Sequence, residues 1–360
     1  MQRTTGRLAD GREIIWYDAD GTRRVAVPDR RDLAQATSTS QMRLDPLTDE
    51  WIAVASHRQS RTYMPPADQC PLCPTTDGRL SEVPSSDYQV VAFENRFPSL
   101  STYLDDTSVT NLEGLEQTRP GAGRCEVICF TSSHDTSFAQ LSSAEARLVV
   151  DAWADRTRDL SGIETVQHVF PFENRGVEIG VTLQHPHGQI YAYPFIPPRA
   201  LTELTRAEAY AAEHDSNLFG DTIKAEIADG SRVLIDSSEW IAFVPFAARW
   251  PMEVHFYPKR QVPDLPGLDD AQRDDFTAVY LDILQRFDRA YTPPTPYIAA
   301  WQQAPVREHR EQAWLHLELY SVRRAEGKIK YLAGSESGQG AFVNDGLPEQ
   351  LAERLRDAAS

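Results

Sequence analysis

One order of elements occurs twice in this chain, and that repetition limits its fold more than any other feature. In the first half, "YQVVAFENRF" (88–97) and "CEVICFTSS" (125–133) read as strands, and "SSAEARLVVDAWADRTRDLSG" (142–162) as an amphipathic helix capped by Ser. "TVQHVFPFEN" (165–174) and "LQHPHGQIYAYP" (183–194) then read as two further strands. In the second half, "EWIAFVPFAARWPMEVHFYPKR" (239–260) supplies two strands and "DDAQRDDFTAVYLDILQRFDRAY" (269–291) a helix. "PYIAAWQQAP" and "AWLHLELYSV" supply two more strands. Strand–strand–helix–strand–strand therefore repeats, as in a diverged internal duplication. The expected fold is α+β: duplicated units of antiparallel sheet with helices packed on one side, able to fuse into one continuous sheet. The expected organisation is an extension with one strand over 1–40, a first unit over 41–200 and a second, diverged unit over 201–360.

Within the first unit, His185, His187 and Gln189 occupy alternate positions of one strand-like stretch. Alternate residues of a strand share a face, so two imidazoles and an amide project together. Pro186 points the other way and cannot donate to a ladder. An imidazole can be a metal ligand, a base or a nucleophile. A glutamine amide can donate to a phosphoryl oxygen as negative charge develops there. His-Pro-His alone equally suits two structural histidines. His57, His168, His214 and His309 look like surface or loop residues, and His255 like a packed strand residue.

The four cysteines narrow the choice. Cys125 and Cys129 lie in a strand-like run, roughly 13 Å apart at about 3.3 Å per residue, too far for a disulfide. They read as core residues. Cys70 and Cys73 form C-x-x-C in a Pro-rich loop with no helix after it, which is half a zinc site rather than a redox pair. With no other suitable cysteines, the missing ligands fall to histidines. His134, just after a strand, and His185 would complete the set and leave His187 free to react. Acidic residues outnumber basic ones, 53 to 36, for a net charge of −17. That opposes non-specific nucleic-acid or anionic-membrane binding. No apolar run approaches the roughly 20 residues of a membrane span, and the N-terminus has no signal-peptide core. A cytoplasmic protein is expected.

"CPLC", "CEVICFTSSH" and "HPHGQ", in this order, resemble galactose-1-phosphate uridylyltransferase, of the histidine-triad superfamily. The resemblance runs from "RLDPLTDEWIAVASHRQSR" (43–61) to "KYLAGSESGQGAFVNDGLPEQLAERLR" (330–356). It implies that His187 is a nucleophile taking the uridylyl group from UDP-glucose, with Gln189 on the transferred phosphoryl group. Glucose 1-phosphate would leave, galactose 1-phosphate would then react, and UDP-galactose would depart. It implies structural zinc on Cys70, Cys73, His134 and His185. It assigns the sugar nucleotide to Arg58 and Arg61, to Asn95 with Arg96 beside it where some relatives have an acidic residue, to Asn174 and to Gly180, Val181 and Thr182. Lys330, Tyr331 and Glu336 match its hexose-binding segment, whose later glutamine has only Gln339 as a counterpart. The family's homodimer implies that this segment and the "HRxxR" arginines reach the neighbouring nucleophile. Some relatives hold a second metal on one Glu and three His. Here Glu203, His316 and Glu318 would form a possible second divalent-metal site, with Gln302 at the remaining position. Aligning "HPHGQ" with "LHLEL" puts Glu318 where His187 stands, leaving the second unit without that imidazole. Alternatives are a nucleotide-sugar phosphorylase or adenylyltransferase on the same scaffold, disfavoured by Gly188, and a non-catalytic zinc-stabilised nucleotide-binding protein.

Overall fold

A computed structural model of the chain describes residues 1–60, 63–105 and 110–359. The first half contains β1 (Gln2–Arg7), β2 (Glu13–Asp18), β3 (Gln41–Asp45), β4 (Glu50–Val54), β5 (Val90–Glu94), β6 (Thr118–Pro120) and β7 (Arg124–Cys129). Helix α1 (Ser143–Ser161), β8 (His168–Arg175) and β9 (His187–Tyr193) complete it. The second half opens with α2 (Pro198–His214) and α3 (Leu218–Asp229). It continues through β10 (Val233–Asp236), β11 (Trp240–Phe243), β12 (Met252–Pro258), α4 (Asp270–Ala290), β13 (Tyr297–Gln302) and β14 (His316–Ser321). Two short strands, β15 (Arg323–Ala325) and β16 (Lys328–Ile329), precede α5 (Gly334–Gln339) and α6 (Pro348–Asp357).

The duplication appears directly in an eleven-stranded sheet of order β1-β2-β5-β7-β9-β8-β13-β14-β12-β11-β10. The first half supplies β5-β7-β9-β8 and the second the mirrored run β13-β14-β12-β11. They fuse where β8 and β13 pair antiparallel, with Asn174 opposite Ile298 and Phe172 opposite Ala300. Both halves also start their long helix the same way. Ser142 and Glu145 form a reciprocal capping box on α1, and Asp269 and Gln272 form one on α4. Each satisfies two backbone donors that a helix start otherwise leaves bare, and losing such a cap costs about 1 kcal/mol.

α1 and α4 pack on one face of the sheet and on each other. Trp153, Phe276, Tyr280, Phe287 and Trp301 are buried in the main core beneath them. Each side chain of that size stabilises the fold by about 1.5–3 kcal/mol through burial. The opposite face differs between halves. Over the second half it is covered by α2 and α3, elements absent from the sequence expectation, with Phe219 and Ile223 packed against Tyr257 and Trp314. Over the first half it opens into a cleft.

The N-terminal extension forms a hairpin rather than one strand. β1 pairs with β2, and β2 adds to the sheet beside β5. "QRTTGR" is polar on both sides and mostly exposed, with no hydrophobic alternation to mark it as an edge strand. Cys125 and Cys129 are core residues of β7. His168 is 1% exposed inside β8, not at the surface, because the strand buries both of its faces there. Among the described residues, no helix is long and apolar enough to cross a membrane.

Candidate active site and metal centre

His187 opens β9, and Gln189 follows on the same face. The strand reaches this position after a glycine turn at Gly180, whose φ of +83° favours glycine, and Gly180, Val181 and Thr182 line the cleft. A second glycine is fixed by packing. A Cβ on Gly188 would lie 2.9 Å from the Phe172 carbonyl oxygen and 2.9 Å from the Phe130 ring, so β9 can lie this close to β8 only without a side chain there. The His187 Nδ1 is 2.7 Å from the His185 carbonyl oxygen. That carbonyl can only accept, so Nδ1 carries the proton and Nε2 holds the free lone pair. Burial lowers the His187 pKa, and the carbonyl contact only partly opposes this. The imidazole is therefore neutral at ordinary pH.

The cleft has a volume of about 420 Å³. Arg58, Asn95, Arg96, Asn174, His187 and Gln189 all line it, so the structure gathers residues up to 131 positions apart in sequence. Leu72, Phe93 and Val127 supply an apolar wall. A second opening of about 410 Å³ also reaches His187 and Asn174 and shares Val181 and Leu183 with the first. Arg61 lies outside the described residues.

Cys70, Cys73, His134 and His185 converge beside the cleft, their ligand atoms all within 4.8 Å of one another. Cys73 Sγ is 3.4 Å from His134 Nδ1 and 3.5 Å from His185 Nδ1. A tetrahedral ion with bonds of ~2.3 Å to sulfur and ~2.05 Å to nitrogen spaces such a pair ~3.6 Å apart. His185 Nε2 is 2.8 Å from the Thr131 carbonyl, which fixes the ring and leaves Nδ1 for the ion. Donor set and spacing both fit a metal.

The chain matches "Galactose-1-phosphate uridyl transferase, N-terminal domain" over residues 30–197 and the corresponding C-terminal domain over 203–360. The chain belongs to this family. It is 49% identical to galactose-1-phosphate uridylyltransferase of Streptomyces lividans, over 100% of this chain and 98% of the relative. With the Thermotoga maritima enzyme of the same name it shares 36% identity, covering 88% of this chain and 98% of that one. Among solved structures, a uridylyltransferase superposes with a TM-score of 0.80 at 32% identity, over 89% of this chain and 98% of the other.

One feature of this uridyl transferase chain departs from the expectation drawn from sequence. Arg58 lines the cleft of its own chain, with its Nη1 donating to the Phe97 carbonyl at 3.0 Å. Lys330, Tyr331 and Glu336 do not line it. Lys330 Nζ lies 3.4 Å from Glu336 Oε1, and Tyr331 is 74% exposed.

The second unit also differs. His316 opens β14 as His187 opens β9, and its Nδ1 is 2.9 Å from the Trp314 carbonyl two residues back. His316, not Glu318, is thus the counterpart of His187, and Glu318 that of Gln189. The two-residue shift arises because strand start and ring contact define the equivalence, whereas the sequence match followed the leading histidine. Glu203, His316 and Glu318 do come together, but around a guanidinium. Arg199 donates from Nε to Glu203 at 2.9 Å and from Nη2 to Glu318. Gln302 donates to the other Glu318 oxygen at 3.4 Å, and His255 lies 3.6 Å from Glu318. A divalent ion would compete with a resident cation for the same carboxylates, so these residues do not fit the second metal site. Among the described residues, only the Cys–His group has ligand spacing for an ion. Arg199 could not have been singled out in sequence: nothing local distinguishes it from a solvated helix charge.

Proposed function

We propose that this chain is a UDP-glucose–hexose-1-phosphate uridylyltransferase working through a covalent uridylyl-histidine. His187 Nε2 attacks the α-phosphorus of UDP-glucose. A phosphorus–nitrogen bond forms, the bond to the bridging oxygen breaks, and glucose 1-phosphate leaves with that electron pair. A phosphate oxygen of galactose 1-phosphate then attacks the same phosphorus, freeing Nε2 and giving UDP-galactose. The positive charge on the ring during the intermediate is shared with the His185 carbonyl through Nδ1–H. The Gln189 amide donates to a non-bridging oxygen without adding charge. Asn174, Thr182 and Arg58 orient the phosphates, and positioning with charge stabilisation is most of what phosphoryl transfer requires. The observation that supports this reading is the 2.7 Å contact from His187 Nδ1 to the His185 carbonyl, which leaves the Nε2 lone pair available for attack.

Zinc in the Cys70–Cys73–His134–His185 cage would act structurally, because four protein ligands leave no open position. It would tie the 70–73 loop, which forms part of the cleft wall, to the strand bearing the nucleophile. We place the protein in the cytoplasm as a homodimer. The position of Lys330, Tyr331 and Glu336 away from their own cleft supports their serving a partner's.

The test is to incubate the protein with UDP-glucose carrying a radiolabelled uridylyl group. One label per chain should remain on His187, acid-labile and fairly base-stable, with release of glucose 1-phosphate and none in His187→Ala. Label on another residue, or transfer only through a ternary complex, would overturn the mechanism.

A further inference from the structure

Glu82 is the one carboxylate among the described residues lining the cleft. An acidic group in a pocket for a nucleoside diphosphate is a liability unless it faces a part of the ligand that donates hydrogen bonds. The phosphates and both uracil carbonyls accept. Within the nucleoside diphosphate the uracil N3–H is a lone donor, and the neighbouring 2′- and 3′-hydroxyls of ribose are the adjacent pair that a carboxylate suits.

What holds Glu82 comes largely from the N-terminal segment. Arg12, in the turn just before β2, is 2% exposed. It donates to Asp10 at 2.8 Å, to Glu82 Oε2 at 2.6 Å and to the carbonyl of Glu94 at 2.7 Å. Glu94 immediately precedes Asn95 and Arg96, so one buried guanidinium ties together the two stretches of chain that meet in this part of the cleft. Arg31 donates to Glu82 Oε1 at 2.6 Å and is itself clamped by Asp29. The Glu82 backbone N–H donates to the carbonyl of Pro71, another wall residue. Arg96 lies 3.6 Å from Glu82 Oε1 and is half-exposed. Arg31 also donates to Glu82 Oε2, at 3.3 Å, so three arginine hydrogen bonds take up most of a carboxylate's roughly four lone-pair positions and leave one on Oε1, the oxygen nearest Arg96. They keep it ionised, because the arginines outweigh the effect of burial and hold its pKa below the usual range. Asn95 Oδ1 is occupied by the Phe97 N–H at 2.9 Å, so the amide NH₂ is the group left to donate to a base carbonyl.

We propose that Glu82 reads the ribose hydroxyls of the nucleotide, and that Arg12 and Arg31 are positioning residues acting through it. The family match begins at residue 30, so the β1–β2 hairpin, which lies before it, joins the substrate machinery through Arg12. This deepens the reading of the cleft as a nucleotide site and rests on it.

The experiment needs no turnover. Calorimetry on the metal-loaded full chain compares UDP with 2′,3′-dideoxy-UDP. The wild type should bind UDP at least about tenfold more tightly, since each charge-assisted hydrogen bond lost is worth a factor of that order. Glu82→Gln and Glu82→Asp should bring the ratio close to unity. Arg31→Gln, at a half-buried position, should lower it while leaving dideoxy-UDP binding near the wild-type value. Arg31→Lys should recover part of it. A merely structural role would weaken both ligands together and leave the ratio unchanged. Wild-type discrimination retained in folded Glu82→Gln or Glu82→Asp would overturn the proposal, as would a wild type that does not discriminate. Absence of any UDP binding would overturn the nucleotide reading as well, and covalent labelling by UDP-glucose separates those two failures.

Discussion

Replacing Arg199 by Met should expose how the second unit manages its buried charge. Glu318 is 2% exposed and lies within reach of Arg199, Gln302 and His255. Removing one partner of a buried ion pair typically costs 3–5 kcal/mol, because the remaining charge has no water to turn to. The Arg199 side chain is 39% exposed and His255 can still neutralise Glu318 in part, so the cost here should fall to about 2–3 kcal/mol. The effect should depend on pH. In the wild type, burial raises the Glu318 pKa, but His255 and Arg199 outweigh it and hold it low. That stability is present above the ordinary carboxylate pKa and fades as pH falls. Without the guanidinium the carboxyl can relieve itself only by taking a proton, so the deficit should be larger at pH 8 than at pH 5.5. Urea unfolding of the zinc-loaded protein, with no other divalent ion added, measures it. Arg199→Met with Glu318→Gln should recover most of the loss, since no charge is then stranded. Metal analysis adds an independent reading: the wild type should hold no second divalent ion, whereas Arg199→Met should acquire weak zinc or manganese binding. A single variant within about 0.5 kcal/mol of wild type, or a double variant no better than the single, would refute the charge argument.

Three further outcomes are expected. Cys70→Ser should lose the tightly held ion and much of its stability together, because the cage stabilises mainly when complete; full metal content in this variant would exclude Cys70 as a ligand. Glu173 is 4% exposed and burial pushes its carboxyl up to about 8. The protonated group therefore contributes stability that is present below its unfolded pKa and lost as pH rises through 8. Glu173→Gln should remove that dependence, worth roughly 3–5 kcal/mol between pH 4.5 and 8, and unchanged pH profiles would contradict it. His187→Ala and Glu336→Ala chains, each nearly inactive alone, should regain about a quarter of wild-type sites when subunits exchange. No recovery after demonstrated exchange would mean that each chain builds its own hexose site.

Local chemistry was readable without coordinates wherever it depends on short spacing. His187 and Gln189 share a face because strands alternate, and the C-x-x-C pair converges because two residues span a turn. The capping boxes are legible as S-x-x-E and D-x-x-Q, and the repeated order of elements foretells the fused sheet. The hairpin strand β1 was not legible, since an edge strand solvated on both sides carries no hydrophobic alternation. Neither was the true partner of His187 in the second unit, which is set by where β14 begins and what its ring nitrogen meets.

Tertiary structure alone decided which charges meet. Arg199 reaches Glu318 across 119 positions of sequence and Arg12 reaches Glu82 across 70. In the unfolded chain all four are ordinary solvated charges. Their roles arise only when the sheet buries the carboxylates, because a charge withdrawn from water must find its counter-charge wherever the fold supplies one. The amino-acid order by itself determined the strand that presents His187 and the Cys–His group able to hold a metal beside it. Folding determined that one unit keeps an open cleft while the other fills the corresponding place with its own arginine.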